Sequence, residues 1–189
     1  MLNPFKSQNK FKIDFKNFKI VREIQKGGFG SVYSVQDLRT NEYFAAKIIN
    51  NSKPDELSKK MISREIGIMM CLQHPTIIKF IGYSLLDFSG GNNCTIIMEL
   101  AKRVSLAEAI LKSKKSTADI DYDNTAKQII LVGIARGMMY LHQHHIIHCD
   151  LKPDNILLDQ YLHPLITDFG LSKIYDPGYS ISQSQTCGT

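Results

Sequence analysis

Four side chains in the second half of the sequence are spaced for chemistry rather than packing: Asp150, Lys152, Asn155 and Asp168. The run His148-Cys149-Asp150-Leu151-Lys152-Pro153-Asp154-Asn155 puts a carboxylate, a cation and an amide in one stretch, and nothing in it reads as core. Its apolar flanks, Tyr140-Leu141 and Ile156-Leu157-Leu158, predict a helix before it and a strand after it. Loops pinned in that way carry function. Thirteen residues past Asn155, Asp168-Phe169-Gly170 sets a second carboxylate beside a glycine, at the end of the short apolar strand Pro164-Leu165-Ile166. Two carboxylates and an amide oxygen are a hard-oxygen donor set suited to Mg²⁺.

The elements that must position these groups are legible further back. Phe18 to Ile24 and Ser31 to Gln36 are aromatic and branched runs flanking Lys26-Gly27-Gly28-Phe29-Gly30, a hairpin with a glycine tip. A dinucleotide-binding turn would instead open a helix after its glycines. The strand-like Ser31-Val32-Tyr33-Ser34-Val35 favours a loop laid over phosphates, where glycine lets backbone N–H groups approach the oxygens. Tyr43-Phe44-Ala45-Ala46-Lys47-Ile48-Ile49 is a further strand, whose lysine could simply be exposed. After Pro54, however, Leu57, Met61, Ile68, Met69 and Leu72 mark a helical stripe that includes Glu65. A carboxylate on a packed face requires a cation, for which Lys47 is the natural candidate; the alternative is a Glu at the stripe's edge reaching water.

Thr95 to Ala101 reads as a buried strand ending in a connector, and Lys112 to Asp123 as a polar loop. Thr125 with Gln128 forms a capping box for a long helix through His142, with Ala126, Ile129, Ile130, Ile134, Met138 and Leu141 on its apolar face. In the first 17 residues Phe11, Ile13 and Phe15 alternate in strand fashion, as an extension lying against the first lobe. Across 189 residues, a composition 43% hydrophobic and 22% charged is that of a globular chain. The net charge of +5 is dispersed, and no aromatic-basic repeat supports nucleic-acid binding. No apolar run is long enough for a membrane span. Cys71, Cys94, Cys149 and Cys187 are widely spaced, which predicts free thiols and a location in cytosol or nucleus.

Glycines, strand lysine, helical glutamate, connector, Asp150 loop and Asp168 loop follow one another in an order that resembles a eukaryotic protein kinase domain from Phe18 to Thr189. The resemblance implies an α+β, bilobal fold. Its N-lobe, residues 18–101, would be an antiparallel sheet with one helix, preceded by the extension 1–17. A partial, mostly helical C-lobe would follow over residues 102–189. It implies ATP and Mg²⁺ as cofactors and a protein substrate with a serine or threonine acceptor, since Lys152 next to Pro153 is similar to serine/threonine kinases. Lys47, steadied by Glu65, would hold the α- and β-phosphates beneath Gly27, Gly28 and Gly30. Ile24, Val32, Ala45 and Leu157 would sandwich adenine, Glu99 and Ala101 would hold it at the hinge, and Met98 would control the back pocket. Asp168 and Asn155 would hold Mg²⁺, Asp150 would accept the substrate hydroxyl's proton, and Lys152 would neutralise the moving phosphate.

The alternative is a pseudokinase, a nucleotide-binding or scaffold module without transfer activity. Three departures bear on that choice. Gln25 stands where the first loop glycine usually lies, which stiffens the loop. Cys149 replaces an arginine, so phosphorylation of Ser180, Ser182, Ser184 or Thr186 is not the expected on-switch. The sequence stops within the activation segment, at Thr189, so the chain as written is expected to transfer phosphate poorly.

Overall fold

The computed structural model describes residues 8–27, 30–50, 56–114 and 123–175. The chain divides into two compact units, Met1–Leu72 with Lys79–Leu100, and Gln73–Ile78 with Ala101–Thr189.

The first unit is built on one five-stranded sheet. Its strands are β1 (Phe18–Gly27), β2 (Gly30–Asp37), β3 (Tyr43–Ile49), β4 (Phe80–Ser84) and β5 (Thr95–Glu99), in the spatial order β1-β2-β3-β5-β4 with every neighbouring pair antiparallel. These runs carry the aromatic and branched residues that fit a pleated surface. Val35, Ala46 and Ile97 form a fully buried cluster, against which Ile13, Phe15, Phe18, Tyr33, Phe44, Ile81 and Phe88 pack. Helix α1 (Glu56–Cys71) lies against β4 and buries Glu65, Ile66, Ile68 and Met69. Leu57, expected on the packed stripe, is 65% exposed, because the buried face starts only in the helix's second half. The segment before β1 forms two three-ten turns, Gln8–Phe11 and Phe15–Asn17, rather than the expected alternating strand. It nevertheless lies on the sheet, with the Ile13 N–H donating to the Tyr83 carbonyl at 2.8 Å.

The second unit contains α2 (Leu106–Lys114), α3 (Asn124–Gln143) and two small antiparallel pairs. β6 (Ile146–Ile147) pairs with β9 (Lys173–Ile174), and β7 (Ile156–Leu158) pairs with β8 (Pro164–Ile166). Helix α2 runs through Lys114, where a polar loop was expected. Its start is marked by Ser105, whose Oγ accepts from the Glu108 N–H at 3.3 Å, a Ser-x-x-Glu signal overlooked in the sequence. The α3 cap also differs from expectation: Asp123, not Thr125, accepts the Ala126 N–H at 2.7 Å. The packed face of α3 is rotated as well. Ala126, Ile130, Gly133, Gly137 and Leu141 are buried, while Ile129 is 39% exposed. The two glycines explain the rotation, because a Cβ on Gly133 would strike the Pro164 ring and one on Gly137 would lie 2.6 Å from both Ile166 Cδ1 and Thr76 Oγ1. The helix sits too close to β8 for any larger residue there.

Candidate active site

Within the first unit, Lys47 Nζ on β3 lies 2.8 Å from Glu65 Oε1 on α1. Glu65 is 5% exposed, so its charge is largely withdrawn from water and the ion pair compensates for that loss. Register sets the lysine: it pairs with Val32 on one side and Ile96 on the other, in the middle of the sheet. Cys94 is a free, buried thiol whose burial, with the Glu65 charge nearby, pushes its pKa up to about 12.

The other expected nucleotide residues of this unit are placed as follows. Gly27 and Gly30 face each other at the ends of β1 and β2, and Gly28 lies outside the described residues. Gly30 has φ 151, and a Cβ there would strike the Ile48 carbonyl, so β3 requires this glycine independently of any ligand. Ile24 on β1 is 42% exposed, Val32 is half-buried and Ala45 is buried. Met98 is buried and sits between Ala45 and Phe80 in the ladder. Glu99 closes β5, where its N–H donates to the Lys79 carbonyl at 2.9 Å and its Oε1 accepts from the Lys79 N–H at 2.6 Å.

Within the second unit, Asp150, Lys152 and Asn155 converge on one carboxylate. Lys152 Nζ lies 2.9 Å from Asp150 Oδ2, and Asn155 Nδ2 donates to the same oxygen at 2.9 Å and to the Asp150 carbonyl at 2.8 Å. The hydrogen bond from Lys152 to Asp150 raises the lysine's pKa, so it remains a cation. Asn155 is buried at the end of a three-ten turn, Pro153–Asn155, that Pro153 opens. With both amide hydrogens committed to Asp150, the Asn155 oxygen is left as an acceptor.

Asp168 is brought to the same end of the β7–β8 pair by the Thr167 N–H, which donates to the Asn155 carbonyl at 3.0 Å. Its φ of 66 and that of 64 at Cys149 put one left-handed residue in each loop. An amide oxygen and a carboxylate are hard donors that fit Mg²⁺. Among the described residues no group of three or more His, Cys, Asp or Glu could hold a metal unaided, so phosphate oxygens or water must complete such a site. Leu157 is half-buried on β7, bridged to Ser105, and Ala101 is half-buried at the start of this unit.

The loop is not free of core, contrary to expectation. His148 is 1% exposed, with Nε2 donating to the Thr167 carbonyl at 3.0 Å and Nδ1 accepting from the Asp150 N–H at 3.3 Å. Those two bonds define a neutral ring, and burial lowers its pKa against the opposing pull of Asp168 and Asp150. Phe169 is fully buried with its ring 5.2 Å from His148, and Ser172 Oγ donates to the His148 carbonyl at 3.1 Å. His148 thus ties the Asp150 loop to the Asp168 loop, a role that its neighbours in the sequence do not betray.

Cys71 and Cys94 are free thiols, and Cys187 lies outside the described residues. The Ser180, Ser182, Ser184 and Thr186 positions, and Thr189, lie outside the described residues. No described helix is long and apolar enough to cross a membrane.

A probable LRR receptor-like serine/threonine-protein kinase of Arabidopsis thaliana is 34% identical over 92% of this chain and 17% of its own length. Cold-responsive protein kinase 1 of the same plant is 32% identical over 92% of the chain and 43% of its own length. The serine/threonine-protein kinase polo of Drosophila melanogaster is 36% identical over 92% of the chain and 28% of its own length. The chain therefore spans less than half the length of each of these curated relatives. The family model for the protein kinase domain matches residues 18–189, and the chain belongs to that family.

Proposed function

We propose that the chain carries out ATP-dependent phosphoryl transfer to serine or threonine hydroxyls of proteins. The observation that carries this reading is the Asp150 carboxylate, gripped by Lys152 and Asn155 while the rest of its loop is tied to the Asp168 loop through His148. Phosphoryl transfer asks a protein chiefly for positioning and charge stabilisation, and those are what this arrangement supplies.

Lys47, oriented by Glu65, holds the α- and β-phosphates, and Gly27, Gly28 and Gly30 close over them. Ile24, Val32, Ala45 and Leu157 contact adenine, with Glu99 and Ala101 at its polar edge. Asn155 and Asp168 would hold Mg²⁺, which when bound supplies positive charge beside the phosphates. Asp150 orients the acceptor hydroxyl and takes its proton, and Lys152 offsets the negative charge of the transferred group. The names of the relatives, together with Lys152-Pro153, support serine or threonine as acceptor.

The test has two arms. MgATP should raise the melting temperature of the chain, and Asp168→Ala should abolish the metal dependence of that rise. Labelled ATP with a generic protein substrate should give phosphoserine or phosphothreonine, at the low level expected of the chain as written, and Asp150→Asn should give none. An unchanged melting temperature at millimolar MgATP would overturn nucleotide binding. An Asp150→Asn chain as active as its parent would overturn the assigned base.

A further inference from the structure

Residues 11–18 include none of the groups assigned above to nucleotide or catalysis, yet they are fitted into the first unit's sheet at several points. β4 is the outermost strand on its side of the sheet, and the segment runs along it. Lys12 forms a parallel bridge with Tyr83, and the Ile13 N–H donates to the Tyr83 carbonyl at 2.8 Å. The Phe11 ring lies 5.5 Å from that of Phe80, and Phe15 stacks on Phe88 at 4.2 Å. Phe15 also meets Phe18 edge-on at 6.3 Å, and Phe18 reaches Phe44 at 6.2 Å. The aromatic chain therefore runs from the β4–β5 side of the sheet to β3.

Gly82 is the point of closest approach. A Cβ there would strike the Phe11 carbonyl and lie 2.6 and 2.7 Å from two carbons of the Ile13 side chain. No unusual backbone angle requires glycine at this position, so the fit of the segment is what requires it.

The two strands that the segment braces are those on which the Lys47–Glu65 pair depends. β3 carries Lys47, and β4 is the strand against which α1, the helix bearing Glu65, is packed. A charge-assisted hydrogen bond of 2.8 Å between groups on separate elements survives only if both elements hold their places. We propose that residues 11–18 are a positioning strap: seated over Gly82, they fix β3 and β4 so that α1 presents Glu65 to Lys47. The affinity of the chain for nucleotide then depends on a segment that does not touch the nucleotide. The inference rests on the assignment of Lys47 and Glu65 as the phosphate-holding pair.

The strap can be dislodged in two independent ways, by a wedge, Gly82→Val, and by loss of an anchor, Phe11→Ala; Phe11→Leu keeps an apolar anchor and should rescue. Each variant is compared with the full chain at a temperature where all are folded, so the Phe11 pair carries the test if the wedge prevents folding. Two measurements are read. Backbone amide exchange over α1, without nucleotide, should quicken in Gly82→Val and Phe11→Ala and return toward the parent in Phe11→Leu. The dissociation constant for MgATP should rise about fivefold or more in the first two variants. In a Glu65→Gln background, where the pair is already broken, dislodging the strap should weaken binding no further, as expected for residues that act through one another.

A lower melting temperature with unchanged α1 exchange and unchanged MgATP affinity would overturn the proposal and leave the strap as filler. Additive losses in the Glu65→Gln background would overturn it as well. If the parent chain fails to bind MgATP, the nucleotide assignment falls separately, and α1 exchange still decides whether the strap holds the helix.

Discussion

Lys47 and Glu65 are brought together by two long regular elements, a seven-residue strand and a sixteen-residue helix. Asp150, Lys152 and Asn155 meet within six consecutive residues of one loop, flanked by strands of two and three residues. The first arrangement is distributed: its 2.8 Å contact inherits its geometry from the packing of the whole sheet and α1. The second is local, and it is held by short-range hydrogen bonds, by backbone angles that few side chains favour, and by one buried imidazole. A distributed site should be sensitive to changes made far away, while a local site should lose function at single atoms without losing the fold.

The sharpest way to break that contrast is at Asp150. Replacing its carboxylate by an amide, Asp150→Asn, keeps the shape but removes the proposed proton acceptor, so turnover should fall about 10²- to 10⁴-fold. The melting temperature should stay near that of the parent, because the side chain is half-buried and its backbone contacts persist. Steady-state kinetics with a thermal scan on the same samples checks both halves. A large loss of stability would show that the loop is not self-contained.

The distributed pair should behave in the opposite way. Lys47→Met leaves Glu65 buried without that cation and should cost about 3–5 kcal/mol of stability, read by chemical denaturation. Adding Glu65→Leu should restore much of that loss, since an apolar pair of similar size no longer buries a charge, while nucleotide binding stays lost. If the double variant is no more stable than Lys47→Met, the pair is not the source of the strain.

What could be read from the sequence follows the same division. β3 coincides with the expected strand Tyr43 to Ile49, and Glu65 stood out as a carboxylate on a helical stripe, because period and charge are visible in one dimension. The Asp150 loop was visible only as a pattern of residue types, and its burial was misjudged, since nothing around His148 in the sequence announces a core residue. The rotated face of α3 was hidden for a related reason. Gly133 and Gly137 add nothing to an apolar stripe, yet they define the packed side by allowing close approach to β8. Cap choice was likewise a matter of one residue over another: Asp123 and Thr125 are both good N-caps, and geometry alone selects the first.

That packing of α3 gives a prediction of intermediate size within the second unit. Gly137→Val would press a branched side chain on Ile166 and Thr76 and should cost about 1–3 kcal/mol by overpacking. Leu131→Ala, at a 66% exposed position of the same helix, should change stability by less than about 0.5 kcal/mol. Urea denaturation of the two variants decides whether the glycine face or the larger apolar residues define the packed side.

The smallest expected effect distinguishes the two units by acid. In the second unit His148 is held neutral, because its Nδ1 must accept the Asp150 N–H and burial opposes a charge. Its folded pKa lies below the ordinary value of 6.5, so the unfolded chain binds the proton more readily. The stability that His148 contributes is therefore present above pH 6.5 and is lost as pH falls toward the folded pKa. In the first unit the Asp87 carboxylate accepts from Ser89 Oγ at 2.6 Å, from the Ser89 and Gly91 N–H groups at 2.9 Å and from Asn93 Nδ2 at 2.7 Å. Those bonds, the Ser89 hydroxyl's first, lower its pKa from 3.8 to about 2 against the cost of burial, so its contribution is present above pH 3.8 and is lost only as pH falls through about 2. Between pH 7.5 and 5.5 the second unit should loosen while the turn holding Asp87 does not. Amide exchange, corrected for its intrinsic pH dependence, should show the Asp150 N–H losing protection in that interval as its acceptor is protonated. Asp87→Asn should lower stability by a constant amount across this interval, leaving its pH dependence there unchanged, and should alter the pH dependence only below about pH 4. Equal loss of protection at the Asp150 amide and at the Ser89 and Gly91 amides would show that the imidazole is no special anchor of the Asp150 loop.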